Sequence, residues 1–118
     1  MRPIPLKLRE EIASDPYYKV CARIKDGGCG GRITWEHAII FRGRQLNKKW
    51  AIIPLCARHH AVNEYQDSGS LNKEKNVWIA LMRATDEELE RISKAVDYKH
   101  KRNYLNDKYG KPSTDKHL

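Results

Sequence analysis

Apolar residues in this chain come in short groups set apart by charge, and their spacing predicts a mixed, mainly helical fold. Leu6, Leu8 and Ile12 recur at helical spacing between Pro5 and Ala13, and Pro16 is expected to stop that helix. Arg32 to Glu36, Arg-Ile-Thr-Trp-Glu, has the β-branched and aromatic content of a short strand. Trp50 to Leu55 reads as a second strand ended by Pro54, and Phe41 to Lys49 as a basic loop between the two. From Cys56 to about Gln66 the pattern turns helical, so the segment predicts a ββα unit.

Asp67-Ser68-Gly69-Ser70 is expected to break the chain before a helix over Asn72 to Arg83, with Val77, Trp78, Ala80, Leu81 and Met82 as its apolar positions. Thr85-Asp86-Glu87-Glu88 has the form of a capping box. The helix it opens is expected to bury Leu89, Ile92 and Val96 and to continue towards Tyr109. The prediction is one α+β domain over residues 1–118. It comprises an N-terminal helix and lead-in at 1–20, a core at 21–66, helices at 67–110 and a frayed tail at 111–118.

Composition narrows the picture. A chain of 118 residues buries roughly 65% of its unfolded surface. With 32% charged residues its core must be thin, so a bound metal would add stability that apolar burial lacks. The net charge of +8 suits a polyanionic partner, most simply nucleic acid, and on composition alone suits a merely well-solvated surface equally. Three cysteines leave one over from any disulfide scheme, whereas a metal site completed by a histidine uses all three. That argues for a reducing, cytoplasmic location. No apolar run approaches the ~18 residues of a membrane span, and Met1 to Glu10 lacks the apolar stretch of a signal peptide.

The chemistry gathers in the predicted ββα unit. Cys56 and His59 have the spacing of a ligand pair at a helix start, and Cys21 and Cys29 offer a second pair. Asp26-Gly27-Gly28-Cys29-Gly30-Gly31 supplies the backbone freedom to wrap a metal. The plainer alternative is three unrelated buried cysteines. A structural zinc site leaves Glu36, His37 and His60 over. Glu36 and His60 suffice for Mg²⁺ or Mn²⁺, which keeps most of its waters. His37 is then the candidate general base, since imidazole exchanges protons near neutrality. Glu36 and His37 are strand neighbours that point to opposite faces, so they are not expected to act as one bidentate unit. Asn63 and Glu64 share a helix face with His60, where they would orient phosphate or bind metal, or would simply be solvated.

Glu36-His37 followed by Pro54-Leu55-Cys56-Ala57-Arg58-His59-His60 resembles the HNH endonucleases, or ββα-metal nucleases, over about Cys21 to Gln66. The resemblance implies His37 as general base, with Glu36 and His60 on the catalytic cation. It also implies Cys21, Cys29, Cys56 and His59 on structural zinc, in a core flanked by N- and C-terminal helices. It suggests DNA as substrate and a phage or prophage setting. Two departures stand out: His59 replaces the commoner cysteine, and Ala51 occupies the position of the family's middle asparagine, with Asn47 nearby.

Arg42, Arg44, Lys48, Lys49 and Arg58 are the candidate phosphate contacts. Lys99, Lys101, Arg102 and Lys108 form either a second basic surface or a solvated face, interleaved with Tyr98, Tyr104 and Tyr109. The competing reading is a zinc-stabilised nucleic-acid-binding protein without catalysis. Such a module has no need of Glu36, His37 and His60 beside its zinc. A small interaction protein docking through its C-terminal helices is a third.

Overall fold

The computed structural model describes residues 4–41, 43–60, 69–93 and 96–110 and is an α+β fold, mainly helical, with two small antiparallel sheets. The described elements are α1 (Leu6–Ala13), β1 (Ile33–His37), β2 (Ile40–Phe41), β3 (Arg44–Gln45), β4 (Ile52–Cys56), α2 (Gly69–Arg83), α3 (Asp86–Ile92) and α4 (Tyr98–Tyr109). Residues 57–60 make a helical turn directly after β4.

β4 is the hub. All five of its residues are buried, so it reads as a continuous apolar run rather than an alternating one. Ile53 and Leu55 enter the main core with Ala80, Leu81, Leu89, Ile92, Tyr98 and Leu105 from the three C-terminal helices. Ile52 points the other way and packs with Ile12 and Tyr18. β1 pairs antiparallel with β4 in the register Ile33↔Cys56 to His37↔Ile52.

Pro54 does not end the strand as expected; it sits inside it opposite Trp35. Its carbonyl accepts the N–H of Ala22 at 2.8 Å, on the side away from β1. The amide and carbonyl of one strand residue face the same side, so the missing proline N–H costs no bond to β1. Trp50 likewise precedes the strand, in a 3₁₀ turn over Lys49–Ala51. The basic loop holds a hairpin, with β2 against β3 as Ile40↔Gln45 and Phe41↔Arg44.

α1 forms as predicted, but of its apolar positions Ile12 is fully buried while Leu6 is 68% exposed. Gly69 and Ser70 lie within α2, which therefore starts earlier than predicted. Met82 on its outer face is exposed. The capping box is present: Thr85 Oγ1 accepts from Glu88 N and Glu88 Oε1 accepts from Thr85 N. A cap of this kind is worth about 1 kcal/mol.

The expected continuation towards Tyr109 is two helices instead. α3 ends at Ile92, Ser93 Oγ donates to the Leu89 carbonyl, and the Asp97 carboxylate accepts His100 N–H to open α4. Val96 lies in this break and is exposed rather than buried. Tyr98 is in the core, Tyr109 packs on Trp78 with ring centroids 5.8 Å apart, and Tyr104 is exposed. Among the described residues, no helix is long and apolar enough to cross a membrane.

Candidate metal centre and active site

Two stretches of the chain, one holding Cys21 and Cys29 and the other Cys56 and His59, come together with their ligand atoms all within 4.8 Å of one another. His59 Nδ1 lies 3.3, 3.6 and 3.2 Å from the sulfurs of Cys21, Cys29 and Cys56. Ligands bound tetrahedrally to zinc at the usual Zn–S and Zn–N lengths have sulfur and nitrogen about 3.5 Å apart. His59 Nε2–H donates to the Gly27 carbonyl at 3.1 Å, which leaves the Nδ1 lone pair facing the sulfurs. The donor set and its spacing therefore fit a metal ion such as zinc.

The backbone is built to this end. Gly31 has φ +82°, and a Cβ there would sit 2.7 Å from Ala57 Cβ, so only glycine lets the loop close on the helical turn. Ala57 and Arg58 donate their N–H groups to the carbonyls of Arg32 and Gly30. Burial favours the neutral form of Cys56, but the N–H groups of His59 and Gly30 outweigh it and hold the thiol down to about 6. Desolvation and the neighbouring thiols of Cys21 and Cys56 push Cys29 up to about 11.

One residue after the last of these ligands, the chemistry changes from sulfur to oxygen and nitrogen. His60 Nε2 lies 3.4 Å from Glu36 Oε1, and both side chains are about a quarter exposed. His60 Nδ1 lies 2.9 Å from Thr34 Oγ1, which also donates to the Leu55 carbonyl at 2.9 Å. Thr34 and Glu36 are two apart on β1 and share a face, so both reach the turn that carries His60. A carboxylate oxygen and an imidazole nitrogen at partial exposure suit a hard divalent cation that keeps several waters.

His37 is the next residue along. It hydrogen-bonds through Nε2 to Asn47 Oδ1 at 2.7 Å and has no hydrogen bond to Glu36 or His60. Asn47 thus supports His37 from the loop before β4, where Ala51 cannot. Asn63 and Glu64 lie outside the described residues, as does Arg42. Thr34 was not singled out in the sequence; the signal for it was the two-residue strand period from Glu36.

Among the basic candidates, Arg44, Lys48 and Arg58 are exposed. Lys49 is engaged instead by Asp15 at 2.8 Å, an ion pair whose hydrogen bond holds the Asp15 carboxyl below its ordinary range. On the C-terminal helices Lys99, Arg102 and Lys108 each face a carboxylate, of Glu90, Asp86 and Glu74. Three of that surface's cations are therefore partly neutralised. No protein-family description, curated protein or solved structure matches this chain.

Proposed function

We propose that the protein is a metal-dependent endonuclease of the HNH type that hydrolyses DNA phosphodiester bonds. In this reading β1, β4 and the turn at 57–60 are a zinc-braced ββα core. The observation that carries it is the approach of Glu36 Oε1 and His60 Nε2 to 3.4 Å, one residue from a Cys₃His cluster. Zinc on Cys21, Cys29, Cys56 and His59 is structural, and Glu36 and His60 hold Mg²⁺ or Mn²⁺. Bound there, the divalent ion supplies Lewis acidity for charge developing on the scissile phosphate.

The remaining work falls to side chains. Asn47 Oδ1 accepts His37 Nε2–H, which leaves Nδ1 with the lone pair. His37 Nδ1 takes the proton of the attacking water as general base. Arg44, Lys48 and Arg58 neutralise phosphates and fix the register of the strand without reading sequence. Three ligating thiols persist only in a reducing compartment, so the reading carries a cytoplasmic location with it.

A zinc-stabilised nucleic-acid-binding protein without catalysis is the second reading. It is favoured by His37 bonding to Asn47 and not to the Glu36–His60 pair. Incubating supercoiled plasmid with zinc-loaded protein and added Mg²⁺, Mn²⁺ or no divalent ion separates the two. The nuclease yields nicked or linear product only with metal. His37→Ala then loses roughly 10²- to 10⁴-fold in rate while retaining one zinc per chain. Binding without cleavage under every metal would leave the second reading.

A further inference from the structure

Donor counting around Thr34 fixes something that distances alone leave open. A threonine hydroxyl has one proton to give and two lone pairs to offer. Here the proton goes to the Leu55 carbonyl, 2.9 Å away. Towards His60 Nδ1, also 2.9 Å away, the oxygen has only lone pairs. Nδ1 must therefore carry the ring proton.

We propose that Thr34 is a positioning residue: it accepts the Nδ1–H of His60 and so turns the Nε2 lone pair towards Glu36. Neutral imidazole has one protonated nitrogen and one basic nitrogen, so fixing the first fixes the second. Where imidazole is neutral, a lone pair and a carboxylate oxygen 3.4 Å apart repel unless a metal cation lies between them; at lower pH a proton on Nε2 fills the same place. The hydroxyl thereby makes the gap between the neutral His60 ring and Glu36 a cation site. Leu55 takes part through its backbone alone. Its carbonyl belongs to the fully buried strand β4, so the anchor of the relay is rigid. The functional meaning of this arrangement rests on the nuclease reading; the tautomer itself does not.

The test is a nitrogen-15 NMR measurement of the histidine rings in full-length, zinc-loaded protein. It is made at about pH 8.5, above the ordinary imidazole range, without other divalent ions. His60→Gln identifies the resonances. The wild type should show His60 protonated at Nδ1, and Thr34→Ser should keep that signature. Thr34→Val, similar in shape but unable to accept, should lose it. A wild-type ring protonated at Nε2, or an unchanged Nδ1–H signature in Thr34→Val, would overturn the proposal. The wild-type arm decides even if the valine variant fails to fold.

Titrating Mn²⁺ into the same proteins distinguishes this inference from the function it serves. Weakening by roughly ten- to a hundredfold in Thr34→Val, restored in Thr34→Ser, is expected of a residue that orients a ligand. The expected tautomer in a wild type that binds Mn²⁺ but cleaves no DNA would sink the nuclease and uphold Thr34's role, whereas a wild type that binds no Mn²⁺ would overturn the cation site.

Discussion

Cys29→Ser separates a metal centre from a chance cluster because packing and ligation predict opposite results. Cys29 is exposed, and serine differs from cysteine at one atom. If the residue were an ordinary surface side chain, the change would stay within about 0.5 kcal/mol. If it is one of four zinc ligands, the loss is of another order. Structural zinc contributes roughly 10–16 kcal/mol to small domains. A quarter share is about 3 kcal/mol, a large part of the 5–15 kcal/mol that keeps a typical domain folded. At roughly 4 °C per kcal/mol for a chain of this size, the melting temperature should fall by about 12 °C, against about 2 °C for the surface residue. Cys21 and Cys56 belong to the main core, so loosening the metal reaches the helices as well. The assay is thermal melting by circular dichroism with zinc content measured on the same samples. A Cys29→Ser protein that melts within about 2 °C of wild type and keeps its zinc would refute the assignment.

Asn47→Ala should lower the cleavage rate by about a hundredfold with little change in zinc content, since a misoriented base costs that much; single-turnover kinetics would show it. Asp26→Asn should destabilise the fold by about 1–3 kcal/mol at neutral pH, because Asp26 accepts from the buried Arg23 and from Lys75. Burial opposes ionisation there, yet those two hydrogen bonds prevail and lower the Asp26 carboxyl below its ordinary value. A depressed carboxylate stabilises the fold above its unfolded value. The gap between the two proteins should therefore close as pH falls through the lowered native value, as urea melts across pH would test. Gly31→Ala should cost about 2 kcal/mol or more, and Gly28→Ala nearer 1. Both have positive φ, but only at Gly31 does the added Cβ strike a neighbour; chemical denaturation of the pair would reveal equal losses if the contact were irrelevant.

The Cys56–His59 pair, β1 and the capping box were legible because each rests on local spacing: Cys56-x2-His59, the Ile33–Thr34–Trp35 run, Thr85 with Glu88; Cys21 and Cys29 followed from the cysteine count. What was missed depends on partners distant in the chain. Pro54 reads as a strand end until the outer edge of β4 is known to bond Ala22. Val96 fits the helical period, but Asp97 offers the competing cap that starts a new helix. Lys49 looks like a phosphate contact in sequence, and Asp15, 34 positions upstream, claims it. Thr34 shares a strand face with Glu36, but that period alone does not single it out, because its role needs Leu55 and His60 together.

The cluster also bears on how the chain acquires its shape. Cys21 and His59 are 38 positions apart, and closing a loop of that length costs about 3 kcal/mol in chain entropy. During synthesis the first two cysteines emerge well before Cys56 and His59, so they wait as a half-site. β1 waits over the same interval for β4, its partner in the register. Even then β4 is a strand meant to be buried on both sides, and Ala80, Leu81, Leu89 and Leu105, which cover one side, come later still. Vectorial folding, with each part settling as it leaves the ribosome, is closed to such a chain. Its sheet and helices, with any metal the cluster holds, must condense together once α4 has been made, and a truncation before α4 should yield a product that is degraded rather than a smaller working domain.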